Sequence, residues 1–326
     1  MHRVDTSTAV TSLPTPATPG TPGYFTAGNP GPGTPVAATV PGQDWFNDVQ
    51  EEIAAPIEAA GITLDKTHHN QLLTAILALT QGHGQCRLGY VSATSIKLAP
   101  YDGAAIRIAG AIYQIPSAGV SIANTGLVAS TRYFVYVYNN AGTLTLELSG
   151  TGHSTDTTAG NVGVEIKTGD NSRTLVGMVY TQGSTPGQFV DSVLARNVAT
   201  WFKRRGLSLS GNDVSASTAS TTFAALGSSA NCEITCWADE SIMVNTAGNG
   251  SNSTTAATFS LSLGVDGTPN QGDGSTITSP AANQAFAIFD LSTSFMTEGH
   301  HLLVPYGLVS AGTGTFFGAI TASFRG

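Results

Sequence analysis

At 326 residues the chain has room for two or three separate cores. Only 10% of the residues are charged, with Gly, Ser, Thr and Ala in their place, a composition suited to short strands joined by tight turns and not to a helical enzyme. Residues 1–84 carry two basic and seven acidic side chains, 85–206 ten and six, and 207–326 one and eight. None of these segments has the basic face that a nucleic-acid partner needs, and the short run Lys203-Arg204-Arg205 reads as a solvated linker.

Met1–Gln43 is a Pro/Gly/Thr-rich ribbon that cannot bury enough apolar surface to fold alone. It nevertheless holds Tyr24 and Phe25 side by side, which a spacer does not require. Its first residues lack the apolar stretch of an export signal, and no run in the chain approaches the ~20 apolar residues of a membrane span, so membrane insertion is not expected. Asp44 is placed to cap a helix in which Trp45, Val49, Ile53 and Ile57 form one apolar stripe. Pro56 should kink or restart that helix, and Gly61 should stop it. A second helix is expected from Asp65 or Thr67, presenting Leu72, Leu73, Ile76 and Leu79 and breaking at Gly82-His-Gly84. Two such short amphipathic helices need a partner: each other, the β-rich remainder, or further copies of the segment.

From Gln85 the apolar period changes to two. Residues 105–115 read as a hairpin turning at Ala109-Gly110, and 132–139 with 143–148 as another turning at 140–142. The strand Arg132–Asn139 is apolar on both faces and should be central; its partner alternates Leu144, Leu146 and Leu148 with polar residues. Asp170–Arg173 reads as a turn before a strand at 174–180. In the last section, strands are expected at 233–237, 241–245, 258–265, 285–289 and 301–304, with long loops at 246–257 and 266–284. The expected fold is mainly β: an extended arm (1–43), a short helical segment (44–84), a middle β-domain (85–205) and a C-terminal β-sandwich or jelly-roll head (206–326).

No nucleophile elbow, zincin motif, phosphate loop or dinucleotide fingerprint is present. Gly28-Asn-Pro-Gly-Pro-Gly33 loses to proline the amides that a phosphate cradle would use. His300 and His301 should face opposite sides of a strand and cannot share a metal, and His68 and His69 diverge on a helix. Cys232 and Cys236 lie about 13 Å apart along a strand, too far to bridge. Asp239 and Glu240 are expected to diverge, so that a glycosidase pair could arise only by convergence with Asp290 or Glu298. Asp266-Gly267 and Asp273-Gly274 read as turns, and Asn249-Gly-Ser and Asn252-Ser-Thr as chance sequons. Neither catalytic residues, nor a cofactor, nor a metal is expected.

The order Gly20–Pro30, then Asp44-Trp-Phe-Asn-Asp-Val-Gln-Glu-Glu-Ile53, then Ile57-Glu-Ala-Ala-Gly-Ile-Thr-Leu-Asp65 and Asn70-Gln-Leu-Leu-Thr-Ala-Ile76 resembles the N-terminus of tailed-bacteriophage and prophage tail-fibre proteins. It covers about the first quarter of the chain; Asp170–Thr181, and more weakly Thr297–His301 and Gly312–Thr315, resemble later parts of such fibres. The resemblance implies a homotrimeric virion protein of the tail, assembled in the host cytoplasm, anchored by its N-terminus to a tail or baseplate protein and meeting a bacterial surface glycan or protein with its distal head. On that reading Tyr24 and Phe25 dock into the virion, and Val49, Ile53, Ile57, Leu72, Ile76 and Leu79 form the trimer core. Trp237, Asp239, Asn249, Asn252 and His300 are then the expected receptor contacts. The chain lacks a long shaft and a His-x-His series, which implies a short fibre. The alternatives are a purely structural head-fibre, collar or baseplate adaptor, and a short tailspike that depolymerises polysaccharide.

Overall fold

The computed structural model describes the chain apart from residues 1, 81, 185, 212–213, 228–230 and 271–273, and apart from the side chains of 78, 214 and 293–295. Its fold is mainly β, with two short helices and several antiparallel sheets. It divides into two compact units, Met1–Gln81 and Gly82–Gly326.

The first unit holds both helices, α1 (Gln43–Ala59) and α2 (Gln71–Thr80), packed on each other. Gly42, not Asp44, is the N-cap of α1, and no side chain caps it. Asp44 sits in the first turn, where its charge suits the helix dipole, and its Oδ2 accepts the Ala17 N–H at 2.9 Å. Pro56 does not break α1; lying in the last turn, it forgoes a single backbone bond before the helix ends. The end is a Schellman motif: Gly61 N–H donates to the Glu58 carbonyl, Ile62 N–H to that of Ile57, and Gly61 has φ +75°. The second helix begins later than expected because Asp65 Oδ1 accepts the Thr67 N–H at 2.7 Å, closing a local turn that competes with helix. Gln71 then ties the connection down, donating to the Thr63 carbonyl and accepting from the Asp65 N–H.

The ribbon before α1 is irregular but not free along its whole length. Arg3 reaches both Glu51 and Glu58 on α1 at 2.7 Å, and Lys66 pairs with Asp5 at 2.6 Å. These pairs are exposed and orient the ribbon more than they stabilise it.

The second unit opens with β1 (Cys86–Ser92), β2 (Ser95–Pro100), β3 (Ala105–Ile108), β4 (Ala111–Gln114), β5 (Val120–Ala123), β6 (Arg132–Asn140), β7 (Thr143–Ser149), β8 (His153–Thr155), β9 (Glu165–Lys167), β10 (Asp170–Tyr180), β11 (Ala195–Arg196) and β12 (Val198–Thr200). Its main sheet has the order β7-β6-β10-β9-β8, with β12 also on β10, so β6 is central and buries Phe134, Val135, Tyr136 and Val137 on both faces. The β3–β4 hairpin turns at Ala109 (φ +48°) and Gly110 (φ +83°), the pair of positive φ values that a two-residue turn matched to strand twist demands. Asp170–Arg173 is not a turn but the start of β10; the turn is at Thr168-Gly169. Asp170 Oδ1 accepts the Ser172 N–H within an irregular pairing with β9, which is how turn-forming residues are held inside a strand.

The remaining strands are β13 (Gly206–Ser210), β14 (Val214–Thr218), β15 (Ala224–Ala225), β16 (Cys232–Cys236), β17 (Ser241–Asn252), β18 (Thr258–Val265), β19 (Thr268–Pro269), β20 (Ser275–Thr278), β21 (Phe286–Phe295), β22 (Gly299–Val309) and β23 (Gly314–Arg325). One sheet runs β11-β16-β22-β18-β19 and the other β13-β23-β17-β21. Cys232, Ile234, Leu263 and Leu303 of the first face Leu209, Ile242, Val244, Ile320 and Phe324 of the second, which makes a sandwich core. The expected loop 246–257 belongs up to Asn252 to β17, and 266–284 contains β19 and β20. Asp266-Gly267 is a turn with both φ values positive, while Asp273 lies outside the described residues. Cys86, Cys232 and Cys236 are buried and do not bridge one another.

Segments 85–205 and 206–326 meet within this unit through an aromatic cluster. Trp201 and Trp237 pack edge to face with centroids 4.8 Å apart beside Phe134, Tyr136 and Met178, and the Trp237 indole N–H donates to the Thr200 carbonyl at 3.0 Å. Arg204 is therefore not part of a solvated linker: its guanidinium lies over both tryptophan rings and bonds Asp239 at 2.6 Å and Glu240 at 3.3 Å. Asp239 and Glu240 thus converge on one cation instead of diverging. His153 sits in the same cluster with one ring nitrogen on Glu165 (2.6 Å) and the other on Glu298 (3.0 Å).

Candidate functional site

Strand alternation builds the most functional-looking feature of the second unit. On β16 and β22, Glu233 lies opposite Leu302 and Thr235 opposite His300, so Glu233, His300 and Leu302 share one face and Glu233 and His300 are diagonal neighbours. Ile234 and His301 take the other face, where His301 is buried against Asp266 and the Thr297 carbonyl. The two histidines point apart, as the strand period requires.

Tyr180, the last residue of β10, comes up beside this face. Its ring and the His300 imidazole are stacked, with centroids 3.7 Å apart and planes 12° from parallel. Glu233 Oε2 accepts from His300 Nε2 (2.9 Å), from the Asn197 amide (3.2 Å) and from the Gln182 amide. A carboxylate can only accept, so His300 carries its proton on Nε2 in this pair. The bond from His300 is the main cause that holds the Glu233 carboxyl below its ordinary range, against the opposing effect of burial. Ser130, Tyr180, Gln182, Gly183, Glu233, His300 and Leu302 line a shallow cleft of about 440 Å³. The arrangement is a flat aromatic stack bordered by fixed amide and carboxylate groups. It suits adhesion to a ligand with an apolar face and hydroxyl edges. Glu233 is the carboxylate in its lining.

Of the other expected receptor contacts, Trp237 is 1% exposed and belongs to the aromatic cluster, so it is not on the surface. Asn252 is also fully buried; its amide donates to the carbonyls of Thr258 and Ala311 and so joins two strand ends. Asp239 is exposed but engaged with Arg204, and Asn249 is exposed on the outer face of β17. None of these four lines the cleft that holds His300. Tyr180, Gln182 and Glu233 are not singled out by the sequence; they come together with His300 through contacts across more than fifty residues.

In the first unit, Tyr24 is 99% exposed, while Phe25 meets Trp45 edge-on at 5.2 Å. Among the expected trimer-core residues Ile57 is fully buried within its own chain. Ile53 and Leu72 are half-buried, and Val49, Ile76 and Leu79 are exposed. Among the described residues no group of three His, Cys, Asp or Glu is placed to hold a metal ion, and no helix is long and apolar enough to cross a membrane.

No protein-family profile matches the chain. A stretch of 79 residues is 46% identical to the uncharacterized protein StfP of Escherichia coli strain K12. This match covers 24% of the chain and 35% of that protein, so the chain spans about a third of the length of the curated relative it matches. Among solved structures, the chain is similar to infectious bursal disease virus, Gt strain (TM-score 0.26, 15% identity, 76% of this chain and 73% of that one). It is also similar to BuGH86wt in complex with neoagarooctaose (TM-score 0.24, 9% identity, 74% of this chain and 34% of that one). Likenesses at this level of superposition carry no functional weight.

Proposed function

We propose that the chain is a tail-fibre protein of a tailed bacteriophage or prophage that attaches the virion to a glycan on the bacterial surface. The fibre assignment is supported by the ordered motifs of residues 20–76 and by the 46% identity to StfP over 79 residues. Attachment rests on the Tyr180–His300 stack beside Glu233, the single observation that carries it. On this reading the protein is a homotrimer located in the virion tail, with exposed Val49, Ile76 and Leu79 available to neighbouring subunits and exposed Tyr24 available to a tail or baseplate protein. Several weak clefts per virion supply avidity, so each can be shallow. It acts by binding and not by cleavage.

The test is adsorption of the purified chain to susceptible bacteria, compared with a Tyr180→Ala variant, with soluble saccharide measured in the supernatant. Saturable binding that the variant loses, without saccharide release, is the expected result. Release of oligosaccharide would favour a depolymerase, and no binding to any susceptible strain would favour a structural adaptor.

A further inference from the structure

The hydrogen bonds of the cleft at Tyr180 and His300 leave a particular set of atoms unused. His300, Asn197 and Gln182 all donate to one oxygen of Glu233, Oε2. The other oxygen, Oε1, accepts no bond among the described residues and, unlike Thr246 Oγ1, is not sealed from solvent. Gln182 turns its amide nitrogen to Glu233 and leaves its amide oxygen unbonded among the described residues. The hydroxyls of Tyr180 and Ser130, which line the same cleft, also bond none of them. The cleft thus keeps in reserve a carboxylate oxygen, an amide oxygen and two hydroxyls, and no Lys or Arg stands among its described lining residues.

Resting on the attachment reading, we propose that the cleft takes an amino sugar whose amine is free and protonated, with the ammonium on Glu233 Oε1 and the sugar ring beside the Tyr180–His300 stack. An ammonium has three donors and no acceptor, so it can serve a carboxylate oxygen, an amide oxygen and a hydroxyl together. A hydrogen bond with both partners charged is stronger than a neutral one, and the three bonds on Oε2 orient the carboxylate before the ligand arrives. The bond from His300 also favours the ionised form of Glu233. N-acetylation removes the charge and leaves a single N–H, which weakens this match. A uronic acid or a sugar phosphate would bring acceptor oxygens against acceptor oxygens. The surroundings act in the same direction: residues 207–326, which supply Glu233, His300 and Leu302, have eight acidic side chains and one basic one, so their field draws a cation and repels an anion.

The test is titration of the full chain with short oligosaccharides: a glucosamine trimer, its fully N-acetylated form and a galacturonic acid trimer. At about pH 6 the amine is protonated and an ordinary carboxyl ionised. The amine trimer should bind at least about tenfold more tightly than the acetylated one, and the acidic trimer more weakly than either. Trilysine, which has the charge without the sugar ring, should displace the amine trimer poorly. Glu233→Gln should bring the amine trimer down to the acetylated one at an unchanged melting temperature. Equal or tighter binding of the acetylated or acidic trimer would overturn the inference, as would no binding of any of the three. An amine preference that trilysine abolishes, or that the folded Glu233→Gln variant retains, would reduce it to bulk attraction toward an acidic chain and overturn it as well. If susceptible cells are still bound through Tyr180 in those cases, attachment stands and the ligand class alone fails. If the amine trimer is preferred through Glu233 but no cells are bound, the cleft chemistry stands and attachment fails.

Discussion

His300 lies flat on Tyr180, with 3.7 Å between ring centroids, and its Nε2 is 2.9 Å from Glu233 Oε2. The stack and the hydrogen bond fix the imidazole from two directions. An aromatic platform bordered by fixed polar groups is thereby available before any ligand arrives, which lowers the ordering cost of binding.

The two roles of His300 can be separated. His300→Phe keeps a ring on Tyr180 but removes the donor to Glu233, and His300→Ala removes both. If the platform is what a ligand uses, affinity for host polysaccharide should fall by about 10-fold or more in the alanine variant, as expected for losing about 1–2 kcal/mol, and by less in the phenylalanine variant. Titration of each variant against extracted surface polysaccharide checks the order.

Two histidines give the second unit opposite pH responses. His153 has its pKa raised above 6.5, first by its bond to Glu298 and then by that to Glu165. Its contribution is complete below 6.5 and is lost as pH rises through the raised value. His83 is half-buried, accepts the Arg107 backbone N–H on Nδ1 at 3.0 Å, and has its pKa lowered to about 4 by desolvation and by Arg107. Its contribution is complete above 6.5 and is lost as pH falls toward 4, of order 3 kcal/mol at full loss. Melting curves across pH 4–9 should therefore lose the acid-side slope in His83→Gln and the alkaline-side slope in His153→Gln. Unchanged slopes would remove these assignments.

Trp237 is expected to hold the two halves of the second unit together. Trp237→Ala removes the ring from the cluster with Trp201, Phe134 and Tyr136 and exposes the Arg204 bonds to water. A loss of about 3–5 kcal/mol is expected in denaturant unfolding. Polysaccharide affinity of the fraction still folded should stay near the native value, because the indole does not line the cleft.

Phe259 depends on three glycines. A Cβ at Gly314 would lie 2.3 Å from its ring, one at Gly307 2.8 Å and one at Gly250 2.9 Å. Gly314→Ala should cost about 1–3 kcal/mol by overpacking. Gly267→Ala serves as the comparison: its φ of +82° strains a side chain, but a Cβ there meets nothing within 4 Å.

The period-two sections were legible because local chemistry decided them: Ala109-Gly110 can supply two positive φ values, and β6 has apolar residues on both faces. β23 was missed although it alternates, burying Phe316, Ile320 and Phe324, because Gly, Ala, Ser and Thr dilute its apolar signal and Phe317 breaks the pattern. The Arg204–Asp239–Glu240 cluster and the Tyr180–Glu233–His300 cleft were not legible, since each forms between segments joined only by tertiary pairing. Trp237 and Asn252, expected as receptor contacts on the fibre resemblance, are each buried because a partner satisfies its polar atoms.

The most direct test of attachment is a binding isotherm of fluorescently labelled full-length chain on susceptible cells, with Tyr180→Ala in parallel. The expected result is saturable binding, displaced by the host's own surface polysaccharide and weakened at least about tenfold by the substitution while the melting temperature is retained. Equal binding by the folded variant, or binding that polysaccharide does not displace, would contradict it.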